Sequence, residues 1–119
     1  MNSENTFQHR FIRFSAEVLL LVEKLPKTQT GRHIADQLLR SGTSIGANVQ
    51  EARSAESRPD FIHKMQVALK ELRETAYWLE MIHCADLVDP SALGELPGRC
   101  EELTAILAKS VITAKKNAA

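Results

Sequence analysis

Apolar residues recur along this chain at steps of three and four, the spacing that keeps one face of an α-helix turned inward. Phe7, Phe11, Phe14, Val18, Leu21 and Leu25 form the first such stripe and predict a helix over about residues 6–25. Leu19 and Leu20 fall off the stripe, so the apolar arc is wider than one neighbour needs. Pro26 disfavours helical geometry in the residue before it and ends the segment. Thr28 or Thr30 can cap the next helix, and the six polar residues ahead of Phe7 are expected to fray.

The second segment, about residues 29–55, carries Ile34, Leu38, Ser41, Ile45, Val49 and Ala52 on one face. Ala35, Leu39, Gly42 and Gly46 make a second stripe beside the first, which implies two neighbouring helices. From Ser41 to Gly46 the residues are small and poor helix formers, with glycine costing up to about 1 kcal/mol against alanine. Such a segment must be held by its neighbours, and its missing side chains let them approach. Gly42 and Gly46 are therefore read as close-packing positions.

Ser57, Pro59 and Asp60 make a helix start: a capping hydroxyl, a proline in the first turn and an acid at the positive helix end. The third helix runs over about residues 58–83, with Ile62, Met65, Leu69, Leu72, Ala76 and Leu79 as its core face. Asp89 and Pro90 open the last segment, about residues 90–116, where Leu93, Leu96, Cys100, Leu103, Leu107, Val111 and Ala114 keep the same spacing. Pro97 removes a backbone donor there and predicts a kink, or a short turn before the main helix. No segment alternates as a strand would, and there is neither a repeat nor a low-complexity linker. The pattern predicts an all-α fold, an antiparallel up-down-up-down four-helix bundle occupying residues 1–119 as one domain.

Charge sharpens the picture by what it disfavours. Fifteen basic and 15 acidic residues give a formal net charge of zero, which argues against a surface coated for nucleic acid, though not against a local patch. Arg32 with Asp36 and Lys64 with Asp60 lie within a helical turn of each other and favour mixed neutral surfaces. The apolar run from Val18 to Val22 is too short to span a membrane, and no signal peptide is visible, so the expected location is cytoplasmic. Cys84 and Cys100 would sit roughly 12 Å out of register in a hairpin turning near Leu87, and both are expected as free, buried thiols.

Each candidate chemistry meets a structural objection. The glycines at 42 and 46 lack the lysine and hydroxyl pair of a phosphate loop. Asp60 with His63 and Glu80 with His83 have the acid-x-x-His form of di-iron bundles, but both pairs lie on the third helix, about 30 Å apart. Cys84 beside His83 cannot form a nucleophile–base pair, because adjacent helical residues point about 100° apart. No metal, no cofactor and no enzymatic activity are expected.

Two surface features remain. Glu71 falls at the edge of the core arc centred on Leu72, while Glu74 points nearly opposite it. A carboxylate at that edge needs a partner, and Arg40 or Arg53 is the natural one. Glu51 lies in the same region, and Asn48 can satisfy backbone or serine groups near the glycines. These residues are read as a structural polar network. Val67, Tyr77, Trp78 and Met81 lie outside the core arc of the third helix, as Leu19 and Leu20 do on the first. They are read as an interface for an oligomer or a protein partner.

The stretch from Arg40 to Ala52, the block from Ala68 to Leu79, and the segment from Ser57 to Ile62 together resemble the 23S rRNA-intervening-sequence family of four-helix bundle proteins. The resemblance is strong over about residues 34–82. It implies a ring-like homo-oligomer, with five subunits the expected number. One branch of that family serves as accessory proteins of diversity-generating retroelements, using a basic exterior toward nucleic acid and a reverse transcriptase. The expectation for this chain is a non-enzymatic, self-assembling scaffold or protein-interaction module. The alternative is a nucleic-acid-binding accessory factor, which requires Arg10, Arg13, Arg32, Arg40, Arg53, Arg58 and Lys64 to gather on one outer face.

Overall fold

A computed structural model describes residues 6–118, and the helices are α1 (Phe7–Val22), α2 (Gln29–Arg53), α3 (Arg58–Cys84), α4 (Pro90–Leu93) and α5 (Leu96–Ala118). The four long helices form an antiparallel bundle with extents of 48 × 31 × 19 Å. α2 packs against α1 and α3, and α5 closes the bundle between α3 and α1, so α1 and α3 stand on the diagonal. No helix among the described residues is long and apolar enough to cross a membrane.

The helix starts are fixed by side chains that take up otherwise unpartnered backbone N–H groups. Thr6 accepts from the His9 N–H at 3.1 Å, Thr28 from Gly31 at 3.1 Å, Ser57 from Asp60 at 3.2 Å and Asp89 from Ser91 at 2.9 Å. The expected fraying concerns residues 1–5, outside the described residues, together with Thr6, which is instead the cap. Between the two threonines proposed for α2, Thr28 caps and Thr30 lies inside the helix. Gly31 has a role that the sequence did not reveal: a Cβ there would lie 1.9 Å from the Pro26 carbonyl oxygen.

Two boundaries differ from expectation. α1 ends at Val22 rather than near residue 25, because a tighter turn carries Leu25 back into the core, with its N–H donating to the Val22 carbonyl at 3.2 Å. The last segment divides in two at Gly94, whose φ of 49° suits glycine. Pro97 is then the second residue of α5, where a missing donor costs nothing, so the main helix is uninterrupted.

The main correction concerns α3. Met65, Leu69, Leu72 and Leu79 are buried as expected, but Ala76 is exposed and Ile62 only half-buried. Ala68, Thr75 and Ile82 are buried instead. The helix is turned about its axis toward α2, so that Thr75 meets the small Ser41. That rotation decides what the surface of α3 presents.

Candidate functional site

The face between α2 and α3 holds the densest set of polar and aromatic side chains. At its floor, Ser41 and Thr75 have no exposed surface and lie hydroxyl to hydroxyl at 2.9 Å. Above them the Arg40 guanidinium donates to Glu71 Oε2 at 3.2 Å and to Gln37 Oε1 at 3.3 Å, and it also pairs with Glu74. Glu74 accepts a further bond from the Trp78 indole N–H at 3.1 Å. The Trp78 ring meets His33 edge to face at 6.1 Å and Tyr77 at 5.0 Å. Two carboxylates therefore share one guanidinium on this face.

This arrangement keeps the Arg40–Glu71 pairing and revises the rest of the expected network. Glu74 is not turned away; its side chain is 28% exposed and shares Arg40, because α3 is rotated toward α2. Arg53 takes no part, being about 140° round α2 from Arg40. Glu51 pairs with Lys64 at 2.9 Å, and that hydrogen bond raises the Lys64 pKa. Lys64 thus reaches α2, with Asp60 acting on it more weakly, and among the described residues Arg32 and Asp36 do not form an ion pair. Asn48 donates to the Ser44 carbonyl at 2.9 Å, the backbone role expected of it. Ser41 stood on the inward face read for α2, but its contact with Thr75 was missed because Thr75 does not look apolar; the spacing of Thr75 from Ala68 and Leu79 was the available signal.

The α1–α2 seam separates the two glycines. A Cβ on Gly42 would lie 2.6 Å from Val18 Cγ1, a true close approach, whereas one on Gly46 would stand 3.8 Å from Phe11, an ordinary contact. Ser15 reinforces the seam by donating to the Gly42 carbonyl at 2.7 Å.

Leu19, Leu20, Tyr77 and Met81 are exposed, Leu20 at 66% and Tyr77 at 57%. Val67 is half-buried, and so is Trp78, which packs against the core edge. Since α1 and α3 lie on the diagonal, these residues form two separate faces rather than one patch. Ile12 at 50% exposure extends the α1 face.

Of the cations named for a nucleic-acid face, Arg10 pairs with Glu102, Arg40 with Glu71 and Glu74, and Lys64 with Glu51. Arg32 and Arg53 lie at opposite ends of α2. The seven do not gather on one outer face.

Both cysteines are free, but only Cys100 is buried; Cys84 is exposed at the end of α3. Its thiol pKa is raised by partial desolvation and by the Glu80 carboxylate, so it is not poised as a nucleophile. Burial pushes the Cys100 thiol up to about 11, and it donates to the Leu72 carbonyl at 3.4 Å. Among the described residues no three His, Cys, Asp or Glu side chains gather as a metal site. A groove of about 600 Å³ opens between α3 and α5 over the exposed Ala76, with Leu79 and Leu93 in its wall and Arg73, Glu80 and Glu101 at its rim.

Comparison with known proteins agrees with this architecture. Residues 4–109 match the family model described as 23S rRNA-intervening sequence protein. Among solved structures, the chain is similar to a protein of unknown function from the S23 ribosomal protein family of Bacteroides thetaiotaomicron VPI-5482. The two share 34% identity over 89% of this chain and 98% of that one, with a TM-score of 0.81. No curated protein matches. The chain belongs to the 23S rRNA-intervening sequence protein family.

Proposed function

We propose that this member of the 23S rRNA-intervening sequence protein family is a non-enzymatic, self-assembling scaffold. The observation that carries the reading is a pair of unlike faces on opposite sides of the bundle. On α1, the exposed Ile12, Leu19 and Leu20 are accompanied by Arg13 and Lys24, neither of which has an ion-pair partner among the described residues. On α3, Tyr77 and Met81 adjoin Glu71 and Glu74, which share a single arginine. Glu23 also stands on the α1 face and Lys70 and Arg73 flank Tyr77 on α3, so both faces are apolar with charges of both signs, differently arranged.

Unlike faces associate head to tail, and a head-to-tail contact closes into a ring when its rotation allows. Apolar burial at about 25 cal/mol per Å² supplies the drive, and the charges set the register. The family resemblance supports a ring of five. The dispersal of the cations named above favours this reading over a nucleic-acid-binding accessory factor, as does the zero net charge.

Native mass spectrometry at low micromolar concentration tests the proposal. A cyclic oligomer is expected, with Leu20→Glu and Met81→Glu each returning folded monomer. A monomeric parent protein would overturn the reading, while another ring size would overturn only the number five.

A further inference from the structure

The neutral total hides a separation of charge along the bundle axis. At the end where α2 and α5 finish and α3 begins, Arg53, Arg58, Lys109, Lys115 and Lys116 have no carboxylate partner among the described residues. Glu51 is occupied by Lys64 there, which leaves Glu56 and Asp60 as the acids without an ion pair. The opposite end carries Glu23, Asp36, Glu80, Asp86 and Asp89 without ion pairs among the described residues, against Lys24, Lys27 and Arg32, which leaves it an acidic excess. The long dimension is 48 Å, several times the screening length of about 8 Å at physiological ionic strength. The basic end therefore acts on a ligand as a basic surface whatever the total.

That end also has shape. A cleft of about 640 Å³ opens between α3 and the last turns of α5, with Phe61, Ile106 and Ala114 lining it and Arg58 and Lys109 at its edge. A second cleft, of about 380 Å³, adjoins it and shares Arg58 and Phe61. Arg58 reaches the Ala114 carbonyl in a long contact at 3.5 Å, beside the cleft.

We infer that this end docks a short acidic segment of a partner protein, with an apolar side chain in the Phe61–Ile106 cleft and carboxylates on the surrounding cations. Charge complementarity selects an anionic occupant, and the cleft selects a peptide over nucleic acid. Phe61 is half-buried and packed against the core, so its ring is not a free stacking platform for bases. The Ser110 hydroxyl in the cleft is spent on the Ile106 carbonyl, and Thr113 and Asn117 in the same lining can meet a peptide backbone. A long polyanion would also run on toward the acidic end, whereas a short segment meets only the basic one.

The test uses the full chain and a fluorescein-labelled peptide with leucine and phenylalanine between glutamates. Anisotropy is expected to show saturable binding that weakens as salt rises. The Arg53→Glu, Lys109→Glu double variant should weaken it by roughly tenfold or more. Thr113→Trp, which fills the cleft and keeps every cation, should do the same while circular dichroism shows an intact bundle. So should replacing the peptide's two apolar residues by serine. Unchanged affinity for Thr113→Trp or for the serine peptide would overturn the inference by reducing it to charge alone. Tighter binding of an oligothymidylate of equal charge, or no peptide binding at low salt, would overturn it as well. None of these outcomes depends on the subunit number, so this inference and the scaffold reading fail separately.

Discussion

Ser41 and Thr75 face each other across the α2–α3 contact, hydroxyl to hydroxyl at 2.9 Å, with no exposed surface on either residue. Thr75 donates to the Glu71 carbonyl of its own helix at 2.9 Å, so the proton between the hydroxyls comes from Ser41. Among the described residues, the only other acceptor for Ser41 is the Leu38 carbonyl, at a weak 3.4 Å. Thr75→Val keeps the shape and removes the acceptor, and should cost about 1–3 kcal/mol. Adding Ser41→Ala removes the stranded donor, so the double variant should be less destabilised than the sum of the singles in urea denaturation. Additive losses would mean that the hydroxyls do not depend on each other.

Gly42 and Gly46 of α2 should respond oppositely to alanine. Gly42→Ala puts a methyl 2.6 Å from Val18 Cγ1, in a fully buried and stiff side chain, and should cost about 1–3 kcal/mol. Gly46→Ala meets only ordinary contacts and gains helix propensity, so it should be neutral or stabilising by up to about 1 kcal/mol. Thermal melts of the two variants decide the matter, and equal effects would refute the asymmetry of the seam.

Arg40 pairs with two carboxylates whose side chains are only 14% and 28% exposed. Arg40→Met should lower stability by about 1 kcal/mol, with the loss shrinking in high salt. Glu71→Gln in that background should recover part of it by relieving the repulsion with Glu74. Arg53→Met should show no coupling to Glu71, and a measurable coupling would restore the network read from sequence.

Cys100 gives the fold an alkaline limit. Its ordinary pKa of 9.0 is raised to about 11 by burial, so the folded state holds the proton that the unfolded state loses first. The stabilising contribution is complete below pH 9 and is lost as pH rises toward 11, a change of order 2–3 kcal/mol at about 1.4 kcal/mol per unit. Denaturation midpoints should therefore fall more steeply over that interval in the parent protein than in Cys100→Ala. Parallel curves would show that another group sets the limit.

The chain's own sequence determined the helices and their caps, because a 3- and 4-residue apolar period and residues such as Thr28, Ser57 and Asp89 act through local geometry. It also marked Gly42 as a packing position and Glu71 as a carboxylate to be paired from α2, by Arg40 or Arg53. What it could not determine was the rotation of α3. Ala68, Thr75 and Ala76 differ little in apolar character, and which of them is buried depends on how closely α2 can approach. Only the tertiary packing turned Ala68 and Thr75 inward and left Ala76 over a groove. The same rotation carried Trp78 into the α2–α3 face, brought Glu74 to Arg40 and left Tyr77 and Met81 outside. The diagonal placement of α1 and α3 and the gathering of Arg53, Arg58 and Lys109 at one end are likewise consequences of topology. Residues distant in sequence become neighbours only when antiparallel helices are assembled, and a zero sum of charges says nothing of where each charge lies.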